Sequence, residues 1–119
     1  MVIATDRDAR RLLAPLFAGA TEERLAILHL DSGGRAIAVE EKASGDLVLR
    51  DILRAALQRD SAGLVVAHNH PSGDPRPSPE DIDVTRALAE IGARLGIRLH
   101  DHLIFVGEAY SSFRALGLL

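Results

Sequence analysis

The sequence predicts an α/β (α+β) domain in which helices flank a mixed β-sheet. Two observations lead to this class. First, two kinds of segment alternate along the 119-residue chain. In one kind the apolar residues recur at helical spacing, and the other kind is short and almost wholly apolar, which is typical of strands covered on both faces. The run Asp31-Ser32-Gly33-Gly34 has the composition of a tight turn and joins two strand segments into a hairpin. The predicted order is therefore helix, hairpin, helix, strand, helix, strand.

The first part of the chain supplies the first helix and the hairpin. Thr5 is the predicted N-cap of a helix with an acidic first turn. We expect Pro15 to weaken or end this helix early, and Gly19 to close it. Residues 23–30 are predicted to form a strand buried on both faces, and residues 35–41 its antiparallel partner.

The second part supplies two helices and two strands. The predicted elements are an amphipathic helix over residues 49–59, a buried strand over 64–67, a helix opened by Ser78 and closed by Gly96, and a strand over 97–106. Residues 42–46 are predicted to form a short loop. Residues 110–119 are predicted to be a short final segment with room for one helical turn.

Composition narrows the functional classes. The net charge is −3, Lys42 is the sole lysine, and the aromatic residues are three Phe and one Tyr. A nucleic-acid-binding domain usually has a basic face with stacking aromatics, so charge does not support a nucleic acid as the main partner. The helix face formed by Arg7, Arg10 and Arg11 leaves that partner open. There is no cysteine, so any metal must be held by nitrogen and oxygen.

The apolar runs are too short to cross a bilayer, and no signal peptide opens the chain. We therefore predict a cytoplasmic protein with no membrane partner. The sequence does not indicate an oligomeric state.

The candidate functional residues follow the buried strand over 64–67. His68 and His70 alternate with Asn69, and side chains two residues apart on extended backbone point to the same side. Asp81 follows in the first turn of the next helix, three residues after Ser78. Two imidazoles and one carboxylate form a three-ligand set suited to zinc (Zn2+), with a fourth position open for water.

The predicted topology brings glutamates toward these ligands. A helical crossover should make the strands over 35–41 and 64–67 run in the same direction, so that their ends meet the start of the first strand at one sheet edge. A carboxylate beside the open position of a zinc ion acts as general base in hydrolytic sites. Four glutamates reach this edge, and the topology does not choose among them: Glu22, Glu23, Glu40 and Glu41.

Each of these residues also has a simpler structural interpretation. The two histidines can be polar loop residues, and Ser78 with Asp81 can form a capping box that serves only the helix. Glu23 can be a solvated acid at a strand end. His100 and His102 are predicted to be packing residues, although the pair Asp101-His102 can also orient a ligand imidazole.

The histidine run and the residues after it have the spacing His-x-His-Pro-x6-Ser-x2-Asp, from His68 to Asp81. This spacing resembles the JAMM motif of JAB/MPN-type metallopeptidases. The run from His68 reads His-Asn-His-Pro-Ser-Gly-Asp-Pro. It resembles more closely the RadC family, bacterial proteins traditionally labelled DNA repair proteins. The likeness spans about residues 21–119 and includes Leu95-Gly96-Ile97, Asp101-His102-Leu103-Ile104 and Tyr110-Ser111-Ser112.

The resemblance implies a JAB/MPN (cytidine deaminase-like) architecture over residues 21–119, with residues 1–20 as an N-terminal helical extension. It also implies a short form that lacks the family's N-terminal helical domain. By this resemblance His68, His70 and Asp81 hold zinc, Glu23 is the general base, and Ser78 helps to stabilise an oxyanion.

The function that we expect is therefore a zinc-dependent hydrolase of JAMM type that cleaves a peptide, isopeptide or other amide bond. Its partner is then a peptide or amide-containing substrate. Two alternatives remain open: a non-catalytic zinc-containing module associated with DNA repair or recombination, and a nuclease.

Overall fold

The computed structural model describes residues 1–43 and 46–119. The elements, in chain order, are α1 (Asp6–Phe17), β1 (Leu25–Leu30), β2 (Ala36–Lys42), α2 (Leu49–Gln58), β3 (Gly63–Asn69), α3 (Pro79–Arg94), β4 (Arg98–Val106) and β5 (Ala109–Ser112). Part of the predicted loop over residues 42–46 lies outside the described residues, and Lys42 belongs to β2.

The strands form one mixed sheet in the order β2-β1-β3-β4-β5. β3 and β4 are parallel, and the other neighbours are antiparallel. β2 and β3 therefore run in the same direction, as predicted, with β1 between them. Leu25 at the start of β1 is paired with Lys42 on one side and with His68 on the other. The start of β1 and the ends of β2 and β3 thus meet at one edge of the sheet, where the histidines lie.

Helices cover both faces of the sheet, which confirms the predicted α+β class. α1 packs on one face, where Leu13 and Phe17 join a buried cluster with Leu28 and Phe105. α2 and α3 pack on the other face around a second cluster of buried residues. This arrangement explains why every residue of β1 and β3 is buried and why their sequences are almost wholly apolar. The boundary that we predict at residue 20 stays a prediction.

α1 begins as predicted, with a capping box in which Thr5 Oγ1 accepts a hydrogen bond from the Asp8 N–H and the Asp8 carboxylate accepts one from the Thr5 N–H. The expectation that Pro15 ends the helix early is wrong, because the helix continues to Phe17. Pro15 is exposed and lies in the last turn, so burial of Phe17 against the sheet outweighs the missing amide donor. Gly19, at a φ of 71°, follows the helix end.

β3 is longer than the predicted strand over residues 64–67, and this difference matters for the site. The strand continues through His68 and Asn69, and the His70 N–H still donates to the Phe105 carbonyl at 3.0 Å. The extended backbone therefore lasts through both histidines, which is the condition for their side chains to share one side of the sheet.

The C-terminal segment contains a strand that the sequence analysis missed. β5 pairs with β4, and a single turn follows it, with the Leu116 N–H donating to the Ser112 carbonyl at 2.9 Å. The buried Asp101 carboxylate anchors this segment, since it accepts from Ser112 Oγ at 2.5 Å and from the Arg114 N–H at 3.1 Å. Among the described residues no helix has both the length and the apolar character needed to cross a membrane.

Candidate metal centre

The three predicted ligands lie together where β3 ends and α3 begins. His68 Nε2 is 2.9 Å from His70 Nε2 and 3.6 Å from Asp81 Oδ2. His70 Nε2 is 3.3 Å from the same Asp81 oxygen. The His68 side chain is almost fully buried, whereas those of His70 and Asp81 are 16% and 15% exposed. The cluster is therefore held by the core on one side and open to solvent on the other.

These separations fit a tetrahedral zinc ion. Zinc lies about 2.0–2.2 Å from nitrogen and oxygen ligands, so two ligand atoms of a tetrahedral site are about 3.3–3.6 Å apart. The distances of 3.3 and 3.6 Å to Asp81 fall in this range, and the His68–His70 distance of 2.9 Å is somewhat shorter. Within residues 1–43 and 46–119, His68, His70 and Asp81 are the group whose ligand atoms can hold a metal ion, all within 4.8 Å of one another. A donor set of two imidazoles and one carboxylate favours zinc over magnesium or calcium.

The position of the His70 proton is set by the loop that follows β3. His70 Nδ1 lies 2.8 Å from the Asp74 carbonyl oxygen, which can only accept a hydrogen bond. Nδ1 therefore carries the proton, and the lone pair of Nε2 faces His68 and Asp81. The loop is braced by the Asp74 carboxylate, which accepts from the Arg76 backbone and guanidinium, and this pair lowers the pKa of Asp74 to about 2.

The His68 ring is held by a second imidazole inside the core. His68 Nδ1 lies 2.7 Å from Nε2 of the fully buried His102, and His102 Nδ1 lies 2.7 Å from Thr85 Oγ1. The His102 ring stacks on Phe113 with their centroids 4.3 Å apart. Burial, with the nearby His68, lowers the pKa of His102 well below its usual value, so the ring is neutral. His102 therefore contacts His68, one of the three predicted ligands; the interpretation that it orients a ligand imidazole stays a prediction.

Asp81 is both a capping residue and a member of the cluster. The Ser78 N–H donates to Asp81 Oδ2 at 3.0 Å, and the Asp81 N–H donates to Ser78 Oγ at 3.0 Å, which completes the predicted capping box. Burial alone would raise the pKa of Asp81, but the nearby His68 ring and the hydrogen bond from the Ser78 N–H hold that pKa well below its usual range. The carboxylate is thus ionised and rigidly placed by α3. The cap uses Ser78 Oγ only as an acceptor, which leaves its O–H free to donate.

Beside these three residues is a cleft of about 450 Å³. Glu23 lines it, as do Ser78 and Glu80. Of the four glutamates that the topology brought to this edge, Glu23 is the one that lines the cleft; Glu80, at the start of α3, was not considered from sequence. Glu23, for which the resemblance implies the role of general base, therefore lines the same cleft as the three predicted ligands, and its role stays a prediction.

The backbone around Glu23 is held by Asn69. Asn69 Oδ1 accepts from the Arg24 N–H at 2.7 Å, and Asn69 Nδ2 donates to the Glu22 carbonyl at 3.0 Å. The residue before Glu23 and the residue after it are therefore both bonded to one buried side chain. Asn69 is the last residue of β3 and directly follows His68, so the same strand places His68 and fixes the segment that carries Glu23.

The expectation that Glu40 reaches the histidine loop is wrong. Arg59 Nε donates to Glu40 Oε1, and His29 Nε2 lies 3.3 Å from the same oxygen. Arg59 directly follows α2, and His29 lies near the end of β1. Both partners are away from the start of β1, where the histidine loop lies. The Arg59 hydrogen bond lowers the pKa of Glu40 although burial opposes it. Glu40 is thus part of a separate ion pair.

Comparison with known proteins agrees with the fold and the motif. The RadC-like JAB domain family matches residues 3–118. The chain belongs to this family. A UPF0758 protein of Symbiobacterium thermophilum is 36% identical over 122 residues, which cover 98% of this chain and 52% of that protein. A UPF0758 protein of Shouchella clausii is 38% identical over 121 residues, which cover 98% and 53% of the two chains.

A third UPF0758 protein, from Rhodobacter capsulatus, is 41% identical over 102 residues, which cover 82% of this chain and 48% of that protein. The chain spans about half the length of the curated relatives it matches. The RadC-like JAB match also includes α1, which the sequence analysis had placed outside the resemblance. The five-stranded mixed sheet with its three helices is consistent with a JAB domain.

Two further residues of this RadC-like JAB domain, Thr85 and Asn69, were not recognised as part of the site from sequence. The sequence analysis gives Thr85 no role and names Asn69 only as the residue between the two histidines. A signal for Thr85 was present, because it follows Asp81 by four residues and side chains four apart share one helix face. No local signal identifies Asn69, since its partners lie more than forty residues away in sequence.

Proposed function

We propose that this RadC-like JAB domain is a zinc-dependent hydrolase of JAMM type that cleaves a peptide, isopeptide or other amide bond. The observation that carries the proposal is the convergence of His68 Nε2, His70 Nε2 and Asp81 Oδ2 beside a cleft that also contains Glu23. Membership of a JAB domain family, which includes hydrolases, supports the same class of reaction.

The zinc ion, when bound, would lower the pKa of a water in its open position toward about 7 and polarise the substrate carbonyl. The chain supplies the remaining groups. Glu23 takes the proton from the attacking water and delivers it to the leaving amine, which is the role of a general base that then acts as an acid. The free O–H of Ser78 donates to the oxyanion that forms on the carbonyl oxygen.

The residues that line the cleft favour a substrate that is neutral or basic. Its walls combine the carboxylates of Glu23 and Glu80 with apolar and small residues such as Leu47 and Pro71. An acidic cleft attracts neither the phosphates of a nucleic acid nor an acidic peptide. The chemistry therefore favours an extended neutral or basic segment that contains the scissile amide.

The first test is the metal content of protein purified without chelator or nickel resin, before and after addition of zinc. We expect close to one zinc per chain. A zinc content that stays at a small fraction of one per chain after zinc is added would defeat the proposal.

The second test uses a pool of linear and isopeptide-linked peptides, with newly formed amines detected by mass spectrometry. Glu23→Gln should keep its zinc and lose about 100- to 10,000-fold in rate, the usual contribution of a general base. Glu22→Gln is the matched control, because Glu22 is adjacent and exposed but does not line the cleft. Cleavage that is equal in both variants contradicts the role of Glu23.

The same preparations separate the two alternatives. A non-catalytic module would hold zinc while wild type and Glu23→Gln both leave every peptide intact. A nuclease would cleave DNA or RNA in a manner that depends on zinc and on salt concentration.

A further inference from the structure

A continuous chain of hydrogen bonds runs from the His70 loop through the metal cluster into the core. Its four contacts are His70 Nδ1 to the Asp74 carbonyl at 2.8 Å, His68 Nε2 to His70 Nε2 at 2.9 Å, His68 Nδ1 to His102 Nε2 at 2.7 Å, and His102 Nδ1 to Thr85 Oγ1 at 2.7 Å. A neutral imidazole has one donor and one acceptor nitrogen. The proton position on one ring therefore determines the position on the next.

One arrangement of protons satisfies all four contacts. The Asp74 carbonyl makes His70 Nε2 an acceptor, so the 2.9 Å contact requires the proton of His68 on Nε2. His68 Nδ1 then accepts from His102 Nε2–H, and the Thr85 hydroxyl donates to His102 Nδ1. We call this the inward arrangement, because every donor on the path points from Thr85 toward His70.

The inward arrangement does not allow His68 to bind a metal, since its Nε2 carries a proton. A lone pair on His68 Nε2 requires the proton on Nδ1, which must then donate to His102 Nε2. His102 in turn carries its proton on Nδ1 and donates to Thr85 Oγ1. In this outward arrangement all three rings are still neutral. His68 and His102 have each moved one proton from Nε2 to Nδ1, and His70 keeps its proton on Nδ1. No proton enters or leaves the protein.

We propose that metal binding reverses this chain from the inward to the outward arrangement, and that Thr85 is the positioning residue that permits the reversal. The inference rests on the proposed metal site. A hydroxyl both donates and accepts, so Thr85 can end the chain in either direction. His102 is fully buried and stacked on Phe113, so water does not replace Thr85 as its partner. Its lowered pKa agrees with a neutral ring in both arrangements.

The first experiment reads the tautomers directly. Nitrogen-15 NMR of the imidazole rings distinguishes a proton on Nδ1 from one on Nε2 in the full chain, with and without one equivalent of zinc. We expect His102 to carry its proton on Nε2 in chelator-treated protein and on Nδ1 after zinc is added. The buried His29, whose Nδ1 lies 2.7 Å from Ser61 Oγ and which is not part of the cluster, is an internal reference that should not change.

The second experiment measures zinc affinity by competition with a chelating indicator. Thr85→Val has nearly the same shape but removes the acceptor that the outward arrangement needs, so zinc affinity should fall about 10- to 100-fold, as for other partners of metal-bound histidines. Thr85→Ser keeps the hydroxyl and should remain within about tenfold of wild type. Retention of fold in both variants is checked from the His29 resonances.

Four results would overturn the inference. If His102 does not carry its proton on Nε2 in chelator-treated protein, or if it keeps one tautomer when zinc binds, there is no reversal, although the metal site stands. Equal zinc affinity of Thr85→Val and wild type removes the role of Thr85. Absence of zinc binding by wild type overturns both this inference and the proposed function.

Discussion

Replacement of Asp81 by Asn gives a test of the metal centre that needs no substrate. The amide of Asn is nearly isosteric with the carboxylate and its oxygen can still accept from the Ser78 N–H, so the cap of α3 is kept. The variant loses the negative charge that faces His68 and His70. We therefore expect zinc binding to be lost with little change in the metal-free protein.

The size of the effect follows from linkage. Zinc at 100 times its Kd stabilises the folded state by about 2.7 kcal/mol. Unfolding entropy is about 2.1 cal/mol/K per residue, or about 250 cal/mol/K for this chain, so wild-type Tm should rise by about 11 °C. Loss of a residue that only supports a metal-bound histidine weakens zinc affinity by up to about 100-fold. If Asp81→Asn weakens zinc binding by this amount, the same zinc concentration stabilises the variant by about 0.4 kcal/mol and raises its Tm by about 2 °C.

The assay is differential scanning calorimetry of chelator-treated protein with and without zinc. In the absence of zinc, Asp81→Asn should lower Tm by about 1–4 °C, since an acid in the first turn of a helix contributes about 0.3–1 kcal/mol. Asp83→Asn is the matched control, because Asp83 lies on the same helix and is exposed. A full zinc shift in Asp81→Asn, or an equal loss in Asp83→Asn, would refute the assignment of Asp81 as a ligand.

Three further predictions concern other parts of the site and core. Ser78→Ala should lower the free energy of unfolding by about 1 kcal/mol, and Ser78→Gly should lower it by a few tenths of a kcal/mol. Both variants should lose about 100- to 1,000-fold in the rate of hydrolysis. A loss of rate that follows the loss of stability would assign Ser78 to the helix cap alone. Asn69→Ala should leave zinc affinity unchanged but reduce hydrolysis and lower stability by about 1–3 kcal/mol in urea, because it frees the backbone on both sides of Glu23. Burial lowers the pKa of His29 below 6.5, although Glu40 opposes this, so its contribution to stability is complete above pH 6.5 and is lost as the pH falls below that value. Urea denaturation between pH 7.5 and 5 should show a loss of at most about 1.4 kcal/mol per pH unit from this group, with a shallower slope in His29→Gln; identical slopes would contradict the prediction.

Local sequence was sufficient to predict a helix, strand, turn or cap wherever neighbouring residues show the regular pattern that is typical of that element. The almost wholly apolar runs of β1 and β3, the hairpin turn and the N-caps Thr5 and Ser78 were each recognised from residues close in the chain. Pro15 was expected to end α1 because the sequence does not show how strongly Phe17 packs against Phe105 of β4, which is distant in the chain. β5 was missed for a different reason: its partner β4 is adjacent in the chain, but β5 has only four residues, too few to show the period of a strand.

The sequence by itself determined the residue types of the candidate metal site, the spacing that puts His68 and His70 on one side of extended backbone, and the placement of Asp81 in the first turn of a capped helix. These follow from the covalent chain and from local hydrogen bonding. The tertiary structure alone decided that Glu23, and not Glu40, lines the cleft, that Asn69 fixes the backbone beside it, and that His102 connects His68 to Thr85. Each of these depends on strand register and helix packing, which are set by burial of the whole core and not by any short stretch of sequence.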